Sequence, residues 1–180
     1  MQLELAWRAF VSLPKIVFWK IKYRHRLSIS WVQALDKGFV LRISPKAKLV
    51  IGKELVTRTN VTLRAEEGSL NIGDKCFLNN GVSITCMEEV SIGDGCQIAN
   101  HVVIVDHDHD YRNSLKGFTK EKVVIGKNVW IGANCVILKG SRIGDNSVIA
   151  AGSVVKGEVP ADTLYYQKRE AVCKKVREMR

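Results

Sequence analysis

Through much of this 180-residue chain an aliphatic side chain returns at every sixth position. Ile72, Leu78 and Ile84 form one run, and Ile92, Ile98 and Ile104 a second. Ile125, Ile131, Ile137, Ile143, Ile149 and Val155 form a third. In a helix of 3.6 residues per turn, a step of six sends successive apolar residues to opposite faces, so no helix holds this pattern. A second phase follows four residues behind the first: Cys76, Val82, Cys96, Val102, Val129, Cys135, Ser141, Ser147 and Ser153, all of them small. One large and one small inward position per hexapeptide suits a prism with three short faces and tight corners. Three hexapeptides make one coil, and coils stack at about 4.8 Å, the spacing of paired strands. The predicted fold is all-β, a parallel β-helix. Asn and Gly at its turns are corner residues that tolerate left-handed backbone. The small phase also explains three cysteines as core filling rather than as nucleophiles, while Cys86 and Cys173 fall outside it.

The period breaks twice. From Ile84 to Ile92 is eight residues, so two extra ones sit near Met87–Glu89. From Ile104 to Ile125 is 21, and the span VDHDHDYRNSLKGFTKEKV loses the repeat. An insertion in a solenoid becomes a loop thrown out from the prism. Residues 105–124, polar and carrying His107 and His109, form the expected functional excursion.

Composition separates the body from its ends. The chain is 46% hydrophobic and 26% charged, a globular balance, with a net charge of +10. Residues 1–30 hold six basic side chains against Glu4, whereas residues 31–155 are almost neutral. The start lacks a basic n-region and a small-residue cleavage site, and Arg8 and Pro14–Lys15 interrupt its apolar run. Five cysteines without a C-x-x-C pair indicate neither a disulfide framework nor a zinc ribbon, and the expected location is cytoplasmic. Residues 1–42 read as an amphipathic segment containing Leu5, Ala9, Phe10, Leu13, Val17 and Trp19. It serves either as a cap over the first coil or as a peripheral foot at the inner face of a membrane. Residues 43–160 are the β-helix and 161–180 a basic tail with a short helix. No aromatic-interleaved basic patch in the repeats points to nucleic acid.

The segment VVIGKNVWIGANCVILKGSRIGDNSVIAAGSVVKGEVP, Val123 to Pro160, resembles the C-terminal coils of hexapeptide-repeat acyltransferases. The similarity is greatest to maltose/galactoside O-acetyltransferases and to capsule and lipopolysaccharide O-acetyltransferases, and covers about residues 40–160. It implies a left-handed β-helix, against the usual right-handed crossover, a homotrimer, and acetyl-CoA as acyl donor without a metal. Residue by residue it implies a catalytic histidine at His109, with His107 the alternative two residues earlier. Asn79, Asp106, Asp108 and Trp130 fall on the acceptor side, and Ala133 supplies an oxyanion N–H. Ala151, Gly152 and Lys156 would lie along the pantetheine arm. The family's G-N-P-A-K-like segment is replaced here by Gln167–Ala171, where Lys168 and Arg169 could hold the coenzyme's phosphates.

The chemistry fits those residue types. A sugar hydroxyl is a weak nucleophile at neutral pH, so attack on a thioester calls for a general base, and histidine titrates in the right range. Asp106, Asp108 or Asp110 could orient the ring. The expected function is acetyl-CoA-dependent O-acetylation of a sugar or surface-glycan precursor, by direct transfer. Xenobiotic or amino-sugar acetyltransfer is the competing reading within the fold. A zinc carbonic anhydrase-like site using His101, His107 and His109 and a non-enzymatic scaffold lie further off.

Overall fold

The structure is a computed structural model that describes residues 2–113, 116–168 and 170. The expected tail helix therefore lies outside the described residues, as do Arg169 and Cys173. The body is a parallel β-solenoid of about six turns, a left-handed β-helix. Among the described residues its three faces hold seven, six and six strands. The first face runs from Leu27–Ile29 to Glu158–Val159, the second from Val56–Thr57 to Leu164–Tyr165, and the third from Val40–Ile43 to Val154–Val155. The sheets thus reach upstream of residue 43, into sequence where strands lack the Ile-Gly-Asp punctuation of later coils.

The six-residue phase becomes three vertical columns of side chains. On the first face Ile29, Ile51, Ile72, Ile92, Ile125, Ile143 and Val159 stand in register, one above the next. On the third, Leu41, Leu63, Ile84, Ile104, Ile137 and Val155 do the same. Every member of both columns is buried. Because parallel strands stack like on like, each branched side chain packs on its equivalent in the next coil.

The small phase lines the corners, and its chemistry is more specific than size. The Ser141 hydroxyl donates to the Val155 carbonyl at 3.0 Å and that of Ser147 to Pro160 at 2.8 Å. The thiols of Cys76 and Cys96 lie 3.2 and 3.0 Å from the carbonyls of Gly93 and Gly126. Each side chain reaches a corner carbonyl of the following coil, so a buried polar atom is satisfied where the sheet ladder bends. Corner residues also adopt left-handed backbone: Asn60, His101 and Asn134 have φ of 59°, 57° and 57°. His101 is therefore a corner residue, with its ring seated over Gly81.

Corner carboxylates carry the stack along a second edge. Asp74 Oδ1 accepts from the Lys53 N–H at 2.7 Å, Asp94 Oδ1 from Asp74 at 2.9 Å, and Asp145 Oδ1 from Lys127 at 2.7 Å. These oxygens fill the space where a Cβ on Gly52, Gly73 or Gly126 would stand.

At the N-terminal end helix α1 (Gln2–Tyr23) lies against the first coil. Ser12, Ile16, Trp19 and Tyr23, at helical spacing, are buried. Trp19 meets Phe39 with ring centres 5.5 Å apart, and the Tyr23 hydroxyl donates to the Leu41 carbonyl at 3.1 Å. Below it, Gln33 completes the open coil by donating to Gly52 O and accepting from the Leu55 N–H, both at 2.7 Å.

A methyl group at Gly73 would approach Asp94 Oδ1 to 2.5 Å and backbone atoms to 2.7 Å. Gly73→Ala is expected to lose about 1–3 kcal/mol of stability, read as a lower urea midpoint.

Candidate active site

The excursion expected over 105–124 leaves the edge between the third and first faces as a two-stranded antiparallel hairpin. His107–His109 pairs with Phe118–Lys120, setting His107 opposite Lys120 and His109 opposite Phe118. The hairpin is tied to the coils on both sides. Lys120 pairs with Glu67 on one side, and Lys139 reaches Asp108 at 3.2 Å on the other.

At the base of the hairpin Asp106 is fully buried. Its carboxylate accepts from the Met87 N–H at 2.8 and 3.0 Å and from the Glu88 N–H at 2.7 Å. It also meets His107 Nδ1 at 2.9 Å. Met87 and Glu88 belong to the corner where the repeat lengthens to eight residues. The two extra residues turn backbone donors toward Asp106, and sequence reasoning marked the break without seeing what it holds. Burial works to raise the Asp106 carboxyl, but the Glu88 N–H, the His107 ring, the Met87 N–H and the Cys86 thiol act the other way and keep it below its ordinary value. Burial and the neighbouring Asp106 charge push the Cys86 thiol up to about 12, so this cysteine, unplaced by the repeat, is protonated and inert.

An ionised carboxylate only accepts hydrogen bonds. Neutral His107 therefore carries its proton on Nδ1, toward Asp106, and leaves the Nε2 lone pair unprotonated. The ring is half-buried, with Phe118 edge-on to it at 5.5 Å. His109 is exposed and packs on Phe118 with ring centres 4.6 Å apart, and among the described residues no carboxylate hydrogen-bonds to it.

The remaining predicted residues lie elsewhere on the prism. Asp106 does not stand where an acceptor could touch it: it is buried, and its contacts are the corner N–H groups and the imidazole. Asp108 is exposed on the hairpin, paired with Lys139. Asp110 closes the hairpin turn by accepting from the Asn113 side chain at 2.6 Å. Asn79, Ala133, Ala151 and Gly152 occupy the edge between the second and third faces, at equivalent corners of different coils. Trp130 projects from the second face, 55% exposed, beside a recess of about 380 Å³ that Gly95, Gln97, Asn128 and Val129 also line. Lys156 and Lys168 are exposed. Within one chain the histidines and the Asn79–Ala133 edge are thus not brought together. Among the described residues no three His, Cys, Asp or Glu side chains are gathered as a metal site would need, and His101 sits on the Asn79 edge, apart from the hairpin.

Stacked hexapeptide coils, an N-terminal helix and one histidine-bearing hairpin define a left-handed β-helix of the transferase hexapeptide type. Residues 122–157 match the family described as bacterial transferase hexapeptide (six repeats), and residues 60–86 match the hexapeptide repeat of succinyl-transferase. Over these coils the chain is similar to hexapeptide-repeat acyltransferases. It is 35% identical to galactoside O-acetyltransferase of Escherichia coli over 99 residues, 53% of this chain and 49% of that protein. Among solved structures, a maltose O-acetyltransferase from Clostridium difficile aligns with a TM-score of 0.55 at 30% identity, over 62% of this chain and 61% of that one. A hexapeptide-repeat acetyltransferase from Vibrio cholerae, complexed with acetyl coenzyme A, aligns with a TM-score of 0.50 at 30% identity, over 68% of this chain and 63% of that one. The chain spans about half the length of the known relatives it matches, 55%, 56% and 49% of the first three.

A carboxyl with a depressed folded-state pKa stabilises the fold fully above its unfolded value, and the contribution fades as pH falls through the folded one. The stability advantage of the wild type over Asp106→Asn is therefore expected to be whole at about pH 7 and to shrink below the ordinary aspartate value of 3.8. Urea unfolding of both proteins across that range measures it.

Proposed function

We propose that this chain is an acetyl-CoA-dependent O-acetyltransferase acting on a sugar or glycan precursor, with His107 as general base. The observation that carries the reading is the 2.9 Å contact between His107 Nδ1 and the buried Asp106 carboxylate. That contact fixes the tautomer a base requires, and it favours His107 over His109, which lacks such an orienting partner. Asp106 is a positioning residue: it holds the ring and offsets the charge the ring gains. The names of the galactoside and maltose relatives support the acceptor class, and the acetyl coenzyme A complex supports the donor.

In this reading Nε2 takes the acceptor's hydroxyl proton as the oxygen attacks the thioester carbonyl. A C–O bond forms, the carbonyl π pair moves onto oxygen, and a backbone N–H such as that of Ala133 stabilises the oxyanion. The intermediate collapses by breaking the C–S bond. The departing sulfur takes the proton from the imidazolium, leaving an O-acetyl sugar and coenzyme A. No residue of the chain is acylated.

The donor's fit rests on the edge between the second and third faces. Ala133, Ala151 and Gly152 present little side chain there, and Gly152 has φ of 70°, so an extended arm can lie close against the backbone. Lys168, three residues beyond the last second-face strand, offers an exposed cation for phosphates, whereas Lys156 lies on the hairpin edge, between the third and first faces. Because this edge and the His107 hairpin lie apart on one prism, the reading includes a homotrimer in which one subunit's hairpin faces the next subunit's Asn79–Ala133 edge.

The test is acetyl transfer to a panel of hexoses, hexosamines and glycans, beside calorimetric binding of acetyl-CoA to chelator-treated protein. His107→Ala is expected to lose about 10²–10⁴-fold in turnover with coenzyme affinity unchanged, and His109→Ala less than about tenfold. A greater loss at His109 would move the base to that residue. Absent coenzyme binding would end the transferase reading.

A further inference from the structure

Helix α1 is apolar on two opposite sides. Its inner stripe packs on the first coil, as described above. Its outer stripe, Leu3, Trp7, Phe10, Val17, Phe18 and Ile21, is between 43% and 88% exposed. Steps of four, three and seven residues link Leu3, Trp7, Phe10 and Val17, and a step of three links Phe18 and Ile21, so these positions line one face, and they extend over about 27 Å of helix. Trp7 and Phe10 touch with ring centres 6.0 Å apart, which makes a continuous aromatic surface. A face this large on a surface helix requires an occupant.

The borders of the face say which. At 100° per residue, Lys15 and Lys22 fall along one border and Lys20 along the other, and the helix ends in Arg24, His25 and Arg26. Glu4 is the lone acidic residue of the first thirty. Cations therefore frame the apolar stripe on both sides, with Lys22 Nζ 5.7 Å from the Phe18 ring. Two copies meeting through this face would bring a surplus of about five positive charges against an equal surplus, an opposed pairing. A surface that is apolar a few ångströms down and anionic at its top complements both features together. The helix is not built to go through: none among the described residues is long and apolar enough to cross a membrane.

We propose that α1 docks this protein onto an anionic lipid bilayer, lying flat with the Leu3–Ile21 stripe in the interface and its lysines among the headgroups. The inference is independent of the acceptor chemistry. The helix both closes the first coil and faces outward, so the solenoid stands with its N-terminal end on the membrane. In the trimer proposed above, three equivalent helices lie at one level along the symmetry axis and engage one surface together.

The experiment is sedimentation of the full chain with vesicles of phosphatidylcholine mixed with phosphatidylglycerol, and with phosphatidylcholine alone. The expected result is binding to the mixed vesicles, release as salt is raised, and a blue shift in tryptophan fluorescence. Trp7→Ser with Ile21→Ser should weaken binding at least about tenfold, and Lys15→Glu with Lys22→Glu by at least as much on anionic vesicles alone. Both pairs lie outside the buried stripe, so the thermal midpoint and transfer to soluble acceptors should match the wild type, which separates this outcome from failure of the enzyme reading. Equal sedimentation of variants and wild type overturns the proposal, as does binding no stronger to anionic than to neutral vesicles. A change in oligomeric mass in the Trp7→Ser, Ile21→Ser variant also overturns it, by assigning the face to contacts between copies.

Discussion

Parallel strands stacked in register place identical side chains over one another, and every other feature of this molecule depends on that alignment. A column such as Ile29 to Val159 is stable because each branched side chain meets its own shape in the next coil. The same alignment repeats each corner, so the corner's problem of bent backbone and unpaired carbonyls recurs at every level. The chain meets it with small hydroxyl and thiol side chains pointing inward and carboxylates reaching between coils. Stability is accordingly local and additive along the axis, with each coil leaning on two neighbours.

That locality explains what the sequence reveals and what it conceals. Inward residues such as Leu78, Ile98 and Cys135 were readable because a six-residue period has one physical source, and all are buried. The hairpin was readable as an interruption of the same period. The pairing of Asp106 with Met87 and Glu88 was not, since the partners lie 19 and 18 residues apart on successive coils and meet through backbone N–H groups, which leave no mark on residue type. The difference in surroundings between His107 and His109 was equally hidden: they sit two apart on one strand, and only the contact of His107 with the buried Asp106 sets them apart. Strands upstream of residue 43 were not legible because their buried residues, Leu27, Ile29 and Leu41, stand without the Ile-Gly-Asp punctuation of the later coils. The outer face of α1 was visible as amphipathic composition, but only packing shows which of its apolar stripes is already taken.

The candidate site draws its order from the scaffold and little from the excursion itself. Asp106 is held by a coil corner, the histidine by Asp106, and the hairpin by ion pairs to the coils before and after it. The excursion therefore presents a ring whose orientation is set by the backbone of a coil corner, an arrangement suited to a reaction in which proton position matters more than tight contact.

The eight-residue step at Met87–Glu88 has a wider meaning for how such a molecule can change. Two additional residues are absorbed at a corner, and by Val90 and Ile92 the chain is again in register with Leu70 and Ile72 below. The far longer excursion is absorbed at the same edge, with Val123 and Ile125 back over Val90 and Ile92. Along that one edge chain length is free while the three faces keep their count, so the prism behaves as a spine with an open margin. New recognition loops can be written into the margin, lengthened or exchanged, without a compensating change anywhere in the core.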